Sequence, residues 1–287
     1  MQIDARGALA VAAELGPFFA VATGPSHGAE DTDRAAATEH SDGAAAEGTE
    51  GTASATSTEA GTEEPESAES STEGAGFRPV RELYTDAEPL DARLTHVRAV
   101  LGCDSRTAAS ITFQGLAARV LSAPLAAAIL CDTVPLLTPD VLRFRVTEDR
   151  PWPLWCADPV ALAVPDPADA ARALADLVFA PHLAPLVAAV RARVPVSARL
   201  LWGNVASSVA AGKRLTVAHR PDIAERAATI AGHLLRTGPL AGAGTLLPPR
   251  PPDRVWTFRR RSCCLYYRVP GGGLCGDCGL DAIPGRA

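Results

Sequence analysis

The sequence predicts a mainly α-helical protein with a small β-hairpin element and a cysteine-containing appendix at the C-terminus. Three observations predict this fold class. Long stretches place apolar residues at helical spacing, one short region mixes aromatic and aliphatic residues around a charged turn, and four of the seven cysteines cluster within residues 259–280. With 287 residues and 47 % hydrophobic content, the chain can bury a substantial core.

The first predicted helix covers residues 3–22, within an N-terminal part of the body that we place at residues 1–26. Its apolar residues recur near helical spacing and are Ile3, Ala8, Val11, Leu15 and Phe19.

Residues 27–76 form an acidic low-complexity insert. They contain no Val, Ile, Leu, Phe, Tyr or Trp and only one basic residue, Arg34. A segment of this composition cannot bury enough apolar surface to offset the entropy of ordering, so we expect it to be disordered. The whole chain carries a formal charge of −6, which this insert more than accounts for, and the remaining sequence is mildly basic.

A helical domain is predicted over residues 77–253. It begins with a strongly helical stretch from Leu90 to Val134, which we expect to be divided into two helices where Ser122 caps and Pro124 follows. Residues 140–158 are typical of a β-hairpin.

The later part of this domain continues with helices. Asp166 is a predicted N-cap with Pro167 in the first turn, and Ser197 is a second predicted cap. We expect further helices over residues 182–194, 198–211 and 221–236, followed by a Pro/Gly linker that leads into the C-terminal segment, residues 254–287.

The N-terminus does not resemble a signal peptide, and no uninterrupted apolar run reaches the roughly 18 residues of a membrane span. These features predict a cytoplasmic protein without a transmembrane segment, and they leave peripheral association with the inner face of the membrane open. No basic run is interleaved with aromatic residues, so nucleic acid is not an expected partner.

The C-terminal cysteines have the pattern CC-x10-C-x2-C and are Cys263, Cys264, Cys275 and Cys278. Four thiolates match either a tetrahedral zinc site or an iron–sulfur cluster. Adjacent cysteines in an extended strand point to opposite faces, which suits a [2Fe–2S] rhomb better than a single ion, although zinc and a disulfide stay open. The triplet of glycines at 271–273 is predicted to take positive φ and bring backbone N–H groups close to the bound group.

Several other cofactors do not fit the sequence. A c-type haem needs CxxCH, but Gly279 follows Cys278, and a Rieske centre needs histidines, of which none follows His233. The string GGGLCG lies inside the cysteine loop and opens no strand–helix unit, so no dinucleotide site is predicted. Electrons must therefore come from another protein or a free reductant. The other cysteines, Cys103, Cys131 and Cys156, are expected to be buried apolar residues.

The motif and its surroundings, RRRSCCLYYRVPGGGLCGDC, closely resemble the FhuF-like family of ferric siderophore reductases. Two helical stretches, SRTAASITFQGLAARVLSAPLAAAIL and ARLLWGNVASSVA, are similar to the helical body of its actinobacterial members. The resemblance covers LGPFFAV and the chain from about Phe77 to Leu280. The acidic insert has no counterpart in it.

The resemblance implies that the four cysteines ligate a [2Fe–2S] cluster and that the protein reduces a ferric siderophore in the cytoplasm, with a hydroxamate chelate as the expected type. It also implies an external electron donor such as a ferredoxin, a flavodoxin or a flavin reductase. An iron–sulfur carrier or sensor without siderophore activity and a zinc-stapled helical binding module are the alternatives.

Five further residues are candidates for docking a substrate or a donor, and the arginines among them would also tune the potential of a cluster. They are Arg259, Arg260, Arg261, Arg268 and Trp202.

Overall fold

The computed structural model of the chain describes residues 4–24, 76–147 and 151–285. The predicted disordered insert therefore lies outside the described residues, apart from Gly76. The described residues confirm the mainly α fold with small sheets. The helices are α1 Ala5–Ala13, α2 Glu82–Thr85, α3 Ala87–Leu101, α4 Ser105–Leu130, α5 Pro167–Leu174, α6 Ala184–Arg193, α7 Ala198–His219 and α8 Ala224–Arg236.

The strands are short and form three small sheets. They are β1 Ala22–Thr23, β2 Arg78–Pro79, β3 Thr133–Pro135, β4 Arg143–Phe144, β5 Leu154–Cys156, β6 Ala161–Ala163, β7 Gly244–Leu247 and β8 Thr257–Arg260. The largest sheet has the order β1-β5-β4-β2, with β1 parallel to β5 and the other pairs antiparallel. The antiparallel β4–β5 pair confirms the predicted hairpin.

The first helix is shorter than predicted. α1 ends at Ala13, and a turn follows in which Gly16 has φ +118° ahead of Pro17. A positive φ interrupts helical geometry, and proline cannot continue the hydrogen-bond ladder. The apolar spacing from Leu15 to Phe19 reflects packing of this turn against the core.

The predicted division of the next helical stretch at Ser122 and Pro124 is wrong. The break lies earlier, where Gly102 takes φ +55° and the Asp104 carboxylate accepts hydrogen bonds from the backbone N–H of the first turn of α4. Pro124 lies inside α4, and its neighbours are buried almost without exception. Burial on all sides of the helix outweighs the one hydrogen bond that proline removes.

The helices after the hairpin are longer than predicted. The Asp166 carboxylate accepts hydrogen bonds from the backbone N–H of Ala168 and Asp169, as expected of an N-cap. From there the chain stays helical to Arg193 through a π-helical segment, Ala175–Leu183, so the helix expected at 182–194 is a continuation. α7 also runs on to His219.

The predicted Pro/Gly linker contains a strand. Residues 244–247 form β7, which pairs antiparallel with β8. The close approach of Gly244 to Phe258 makes this pairing possible, because a Cβ on Gly244 would lie 2.2 Å from the ring. The cysteine segment is therefore joined to the body by a β-ribbon.

α4 and α7 form the centre of the body. They pack closely at Gly212, where a Cβ would lie 2.8 Å from Leu125 Cδ2. Among the described residues, two helical stretches, Ser105–Leu130 and Pro167–Arg193, are long and apolar enough to cross a membrane, although 78 % of the first is buried inside the protein. A core helix of a folded domain passes the same test of length and composition.

Candidate metal centre

The four cysteines of the motif lie in two loops that follow β8. Cys263 and Cys264 come directly after the strand, and Cys275 and Cys278 lie in the loop beyond the short helical turn Tyr266–Arg268. Cys264 is buried, at 3 % exposure, and the other three are half-buried. All four are free thiols. The site therefore has one deep sulfur and three that lie nearer to the surface.

The structure brings sulfurs from both loops together. The Cys275 thiol donates a hydrogen bond to the Cys264 sulfur, which lowers the pKa of Cys264 to about 6 and raises the pKa of Cys275. Burial raises the pKa of Cys263, and the neighbouring charges of Cys264 and Cys278 raise it further. The two halves of the motif thus meet across the loop.

This pairing of thiols bears on the kind of centre. Within residues 4–24, 76–147 and 151–285, no three His, Cys, Asp or Glu side chains are arranged to hold one metal ion. A two-iron rhomb requires two thiolates at each iron, and the contact between Cys264 and Cys275 brings one pair of sulfurs together. The donor set and its pairing fit a [2Fe–2S] cluster.

Backbone N–H groups point at the sulfurs. Leu265 N lies 3.3 Å from Cys263 Sγ, and Leu280 N lies 3.4 Å from Cys278 Sγ. The backbone N–H of Tyr266 also hydrogen-bonds the Cys264 sulfur. Leu265 reaches this geometry with φ +68°, a left-handed conformation that is uncommon outside glycine. Such N–H···S bonds stabilise thiolates and raise the potential of an iron–sulfur centre.

The glycine triplet closes the loop between the two cysteine pairs. Gly271 has φ +75°, so the predicted positive φ is confirmed at this glycine, but it is wrong for Gly272 and Gly273. Gly272 lies against the backbone, where a Cβ would be only 2.3 Å from Tyr266 O. A residue with a side chain could not come this close to Tyr266 O, which explains why Gly272 is a glycine.

Charged side chains on α7 fix the cysteine segment to the body. Asp277, which lies between the two cysteines of CxxC, accepts a 2.7 Å hydrogen bond from Arg214. Lys213 and Asp253 form a buried ion pair at 2.7 Å. A backbone hydrogen bond from Arg260 N to Asp277 O ties the same loop to β8. These contacts were not predicted from the sequence, although the acidic residue Asp277 inside the CxxC motif can be seen there.

A buried polar set lies on the body side of the cysteines, and we call it the inner wall: Ser110, Asn204 and Arg260. Arg260 donates to Asn204 Oδ1 at 2.6 Å, Asn204 Nδ2 donates to Ser110 O at 2.9 Å, and Ser110 Oγ donates to Cys264 O at 2.7 Å. Arg260 is 1 % exposed. Its burial does not suit the docking role expected for it from the sequence.

A cleft of about 470 Å³ opens beside Cys278. We call it the outer cleft, and its lining includes Arg214, Arg250, Arg259, Asp277, Cys278 and Asp281. Its charges are largely paired with one another, since Arg259 donates to Asp281 at 2.6 Å and Arg214 to Asp277 at 2.7 Å. A second cavity of about 410 Å³ lies between α3, α4 and Trp152, and no residue of the cysteine segment lines it.

The other docking candidates lie around the cysteine loop or on α7. Arg261 is exposed, and Arg268 forms an ion pair with Asp104 at 3.4 Å. Trp202 is half-buried and packs against the hydrophobic core from α7. The structure thus leaves Arg259, Arg261 and Arg268 accessible.

The remaining cysteines and one buried histidine have structural surroundings. Cys131 and Cys156 are buried, as expected. The expectation is wrong for Cys103, which is only half-buried because it lies in the turn between Gly102 and Asp104, outside both helices. His182 Nε2 donates to Leu137 O, so its Nδ1 accepts from Tyr84 OH, and burial lowers the pKa of His182 to about 4. Both ring nitrogens are satisfied, so this histidine is not a metal ligand.

Residues 260–279 match the family model described as the FhuF 2Fe-2S C-terminal domain. The end of the chain is similar to a FhuF-type [2Fe–2S] domain. The FhuF-type match covers all four cysteines of the motif and confirms the predicted cofactor, a [2Fe–2S] cluster. It also includes Arg260, the charged member of the inner wall. No curated protein matches the chain.

Proposed function

We propose that the protein is a cytoplasmic ferric-siderophore reductase with a hydroxamate-type chelate as its substrate. The match to the FhuF 2Fe-2S C-terminal domain supports a role in siderophore-iron reduction. The observation that carries the proposal is the pairing of thiols from the two halves of the motif, with three of the four sulfurs near the surface.

Cys263, Cys264, Cys275 and Cys278 would hold the cluster. When bound, a [2Fe–2S] cluster supplies one electron at a time, which converts the Fe(III) of the chelate to Fe(II). Fe(II) carries less charge and is a softer ion, so hard oxygen ligands hold it more weakly and the metal is released. The protein side chains have no acid–base step to perform at the substrate.

The surface around the cysteine loop suits a bulky chelate. Tyr266 is 43 % exposed and Leu274 is 38 % exposed, one in the turn after Cys264 and the other directly before Cys275. Arg261, two residues before Cys263, is also exposed. Apolar and basic groups next to half-buried sulfurs give a ligand contact area close to the electron source, which is what outer-sphere reduction of a large complex needs.

The outer cleft supports docking of a separate electron donor. It contains Cys278 and carries the exposed Arg250 at its rim. The chain outside the insert is mildly basic, which suits an acidic protein such as a ferredoxin or a flavodoxin. A flavin reductase, working through free reduced flavin, is the other donor class.

The proposal is tested on anaerobically purified protein. We expect a red-brown protein whose colour bleaches with dithionite and returns when a ferric hydroxamate is added, with one Fe(II) captured by a ferrous chelator for each electron lost. Redox-inert gallium hydroxamate is the control and must not restore the colour. A brown protein that ignores the ferric chelate would be an electron carrier or sensor, and a colourless one would be a zinc-stapled module.

A further inference from the structure

Arg260 is the most deeply buried charged side chain at the cysteine site. It is 1 % exposed and follows Arg259 at the end of β8. Its Nε donates to Ser262 O, and one terminal nitrogen donates to Asn204 Oδ1 at 2.6 Å and lies 3.5 Å from Leu200 O. Neutral oxygens therefore accept all of its hydrogen bonds.

The guanidinium lacks two things that a buried arginine normally has. Its other terminal nitrogen, Nη1, is buried without a hydrogen-bond partner, and no carboxylate within the described residues forms an ion pair with Arg260. Burying an unpaired charge costs several kcal/mol. An anionic group bound at the site would provide the missing counter-charge.

The cysteines supply that counter-charge. Arg260 Nε donates to the backbone oxygen of Ser262, the residue before Cys263, and Asn204 and Ser110 link its guanidinium to the backbone oxygen of Cys264. A [2Fe–2S] cluster with four thiolates carries two negative charges when oxidised and three when reduced. We infer that Arg260 is the buried counter-cation of the cluster and that Asn204, held by Ser110, positions it.

The inner wall fits this positioning role. Asn204 is fully buried, and its amide oxygen accepts from Arg260 while its amide nitrogen donates to Ser110. Ser110 in turn donates to the backbone oxygen of Cys264. Gly203 makes the approach of α7 possible, since a Cβ there would lie 2.1 Å from Ser262 Oγ and 3.1 Å from the Arg260 guanidinium. Two body helices thus hold the charge at the deepest sulfur.

A fixed positive charge stabilises the reduced form more than the oxidised form, because reduction adds one negative charge. In a buried site this interaction is only weakly screened by salt. Arg260 therefore raises the reduction potential, whereas an exposed arginine of the same loop acts through water and has a much smaller effect. This inference rests on the [2Fe–2S] cofactor and not on the identity of the substrate.

The test is the midpoint potential of the whole protein, measured by reductive titration with dithionite and followed by visible and EPR spectra. We expect Arg260→Gln to lower the equilibrium constant for one-electron reduction at least tenfold, which equals 59 mV. Arg260→Lys keeps the charge and should recover most of that loss. Arg261→Gln is the control, because it removes the positive charge of the neighbouring residue, which is exposed. It should change the equilibrium constant for reduction less than threefold.

Asn204→Asp gives a second route if Arg260→Gln fails to assemble the cluster. It keeps the side-chain volume but places a carboxylate against Arg260, and it should also lower the constant at least tenfold. Unchanged potentials in an assembled Arg260→Gln or Asn204→Asp protein would overturn the inference, as would equal losses in Arg260→Gln and Arg260→Lys. A wild-type protein without a cluster would instead overturn the proposed function.

Discussion

The two sides of the cysteine site differ in burial and in how their charges are arranged. The inner wall is sealed from solvent, and its single charge, Arg260, has no carboxylate partner among the described residues. The outer cleft is open, and most of its arginines are paired with aspartates such as Asp277 and Asp281. Buried, unpaired charge acts strongly at short range, whereas exposed, paired charge acts weakly.

This difference separates two tasks that a reductase must perform. The inner wall can set the potential of the cluster because nothing from solution screens or replaces its charge. The outer cleft can admit a partner because it is open and carries exposed charges such as Arg250 and Asp281. Variants on the two sides should therefore change different quantities, the midpoint potential on one side and the association rate on the other.

The largest effect is expected from the sulfurs themselves. Cys275→Ser removes the thiol that bridges to Cys264 and should abolish most of the bound iron and sulfide, because the hydroxyl is a much poorer ligand for iron. The measurement is iron and acid-labile sulfide per chain, together with visible absorbance. Cys131→Ser is the matched control, since that buried cysteine lies outside the motif. A Cys275→Ser protein with full iron and sulfide would contradict the ligand assignment.

The sequence predicted the mainly helical fold and the hairpin, because each depends on local spacing. For the cofactor, spacing left zinc and a disulfide open, and the [2Fe–2S] cluster was what the resemblance to the FhuF-like family implied. The inner wall could not be predicted from the sequence. Ser110, Asn204 and Arg260 lie far apart in the chain and meet only because α4, α7 and β8 pack together. The arginine run was noticed as a set, but its spacing could not show that Arg260 alone is buried while Arg261 stays exposed.

The helix boundary predicted at Ser122 and Pro124 is wrong for a related reason. Pro124 is a strong local signal for a helix start, but Gly102 and Asp104 also form a stop and a start. The local sequence is compatible with a helix start at either position. Tertiary packing decided between them, because α4 is buried along most of its length and the helix gains more from continuous burial than it loses at one proline.

A smaller effect is expected at the joint between the two sides. Gly279 lies where the CxxC loop crosses β8, and a Cβ there would be 2.4 Å from Arg260 O. Gly279→Ala must push the loop away from the strand and should destabilise the protein by about 1–3 kcal/mol. Urea unfolding of the anaerobic holoprotein measures this. Gly276→Ala, inside the same CxxC and with no atom within 4 Å of the added Cβ, should match the wild type. Equal losses for both variants would mean that the close approach at Gly279 is not what constrains the loop.

The smallest effect is expected at the rim of the outer cleft. Arg250 is exposed there, and Arg250→Glu reverses one charge without touching the inner wall. With a reduced acidic flavodoxin as donor, we expect about a fivefold slower second-order reduction rate at low salt, since one solvated charge pair is worth about 1 kcal/mol. The difference should vanish as salt shortens the Debye length.

Arg191→Glu is the control for this last variant, because it makes the same charge change on α6, outside the outer cleft. Stopped-flow rates for the two variants, over a range of salt concentrations, separate docking at the cleft from the overall charge of the protein. The midpoint potential must stay at its wild-type value in both. If Arg250→Glu shifted the potential instead of the rate, the outer cleft would be part of the same electrostatic unit as Arg260, and the division of tasks between the two sides would be wrong.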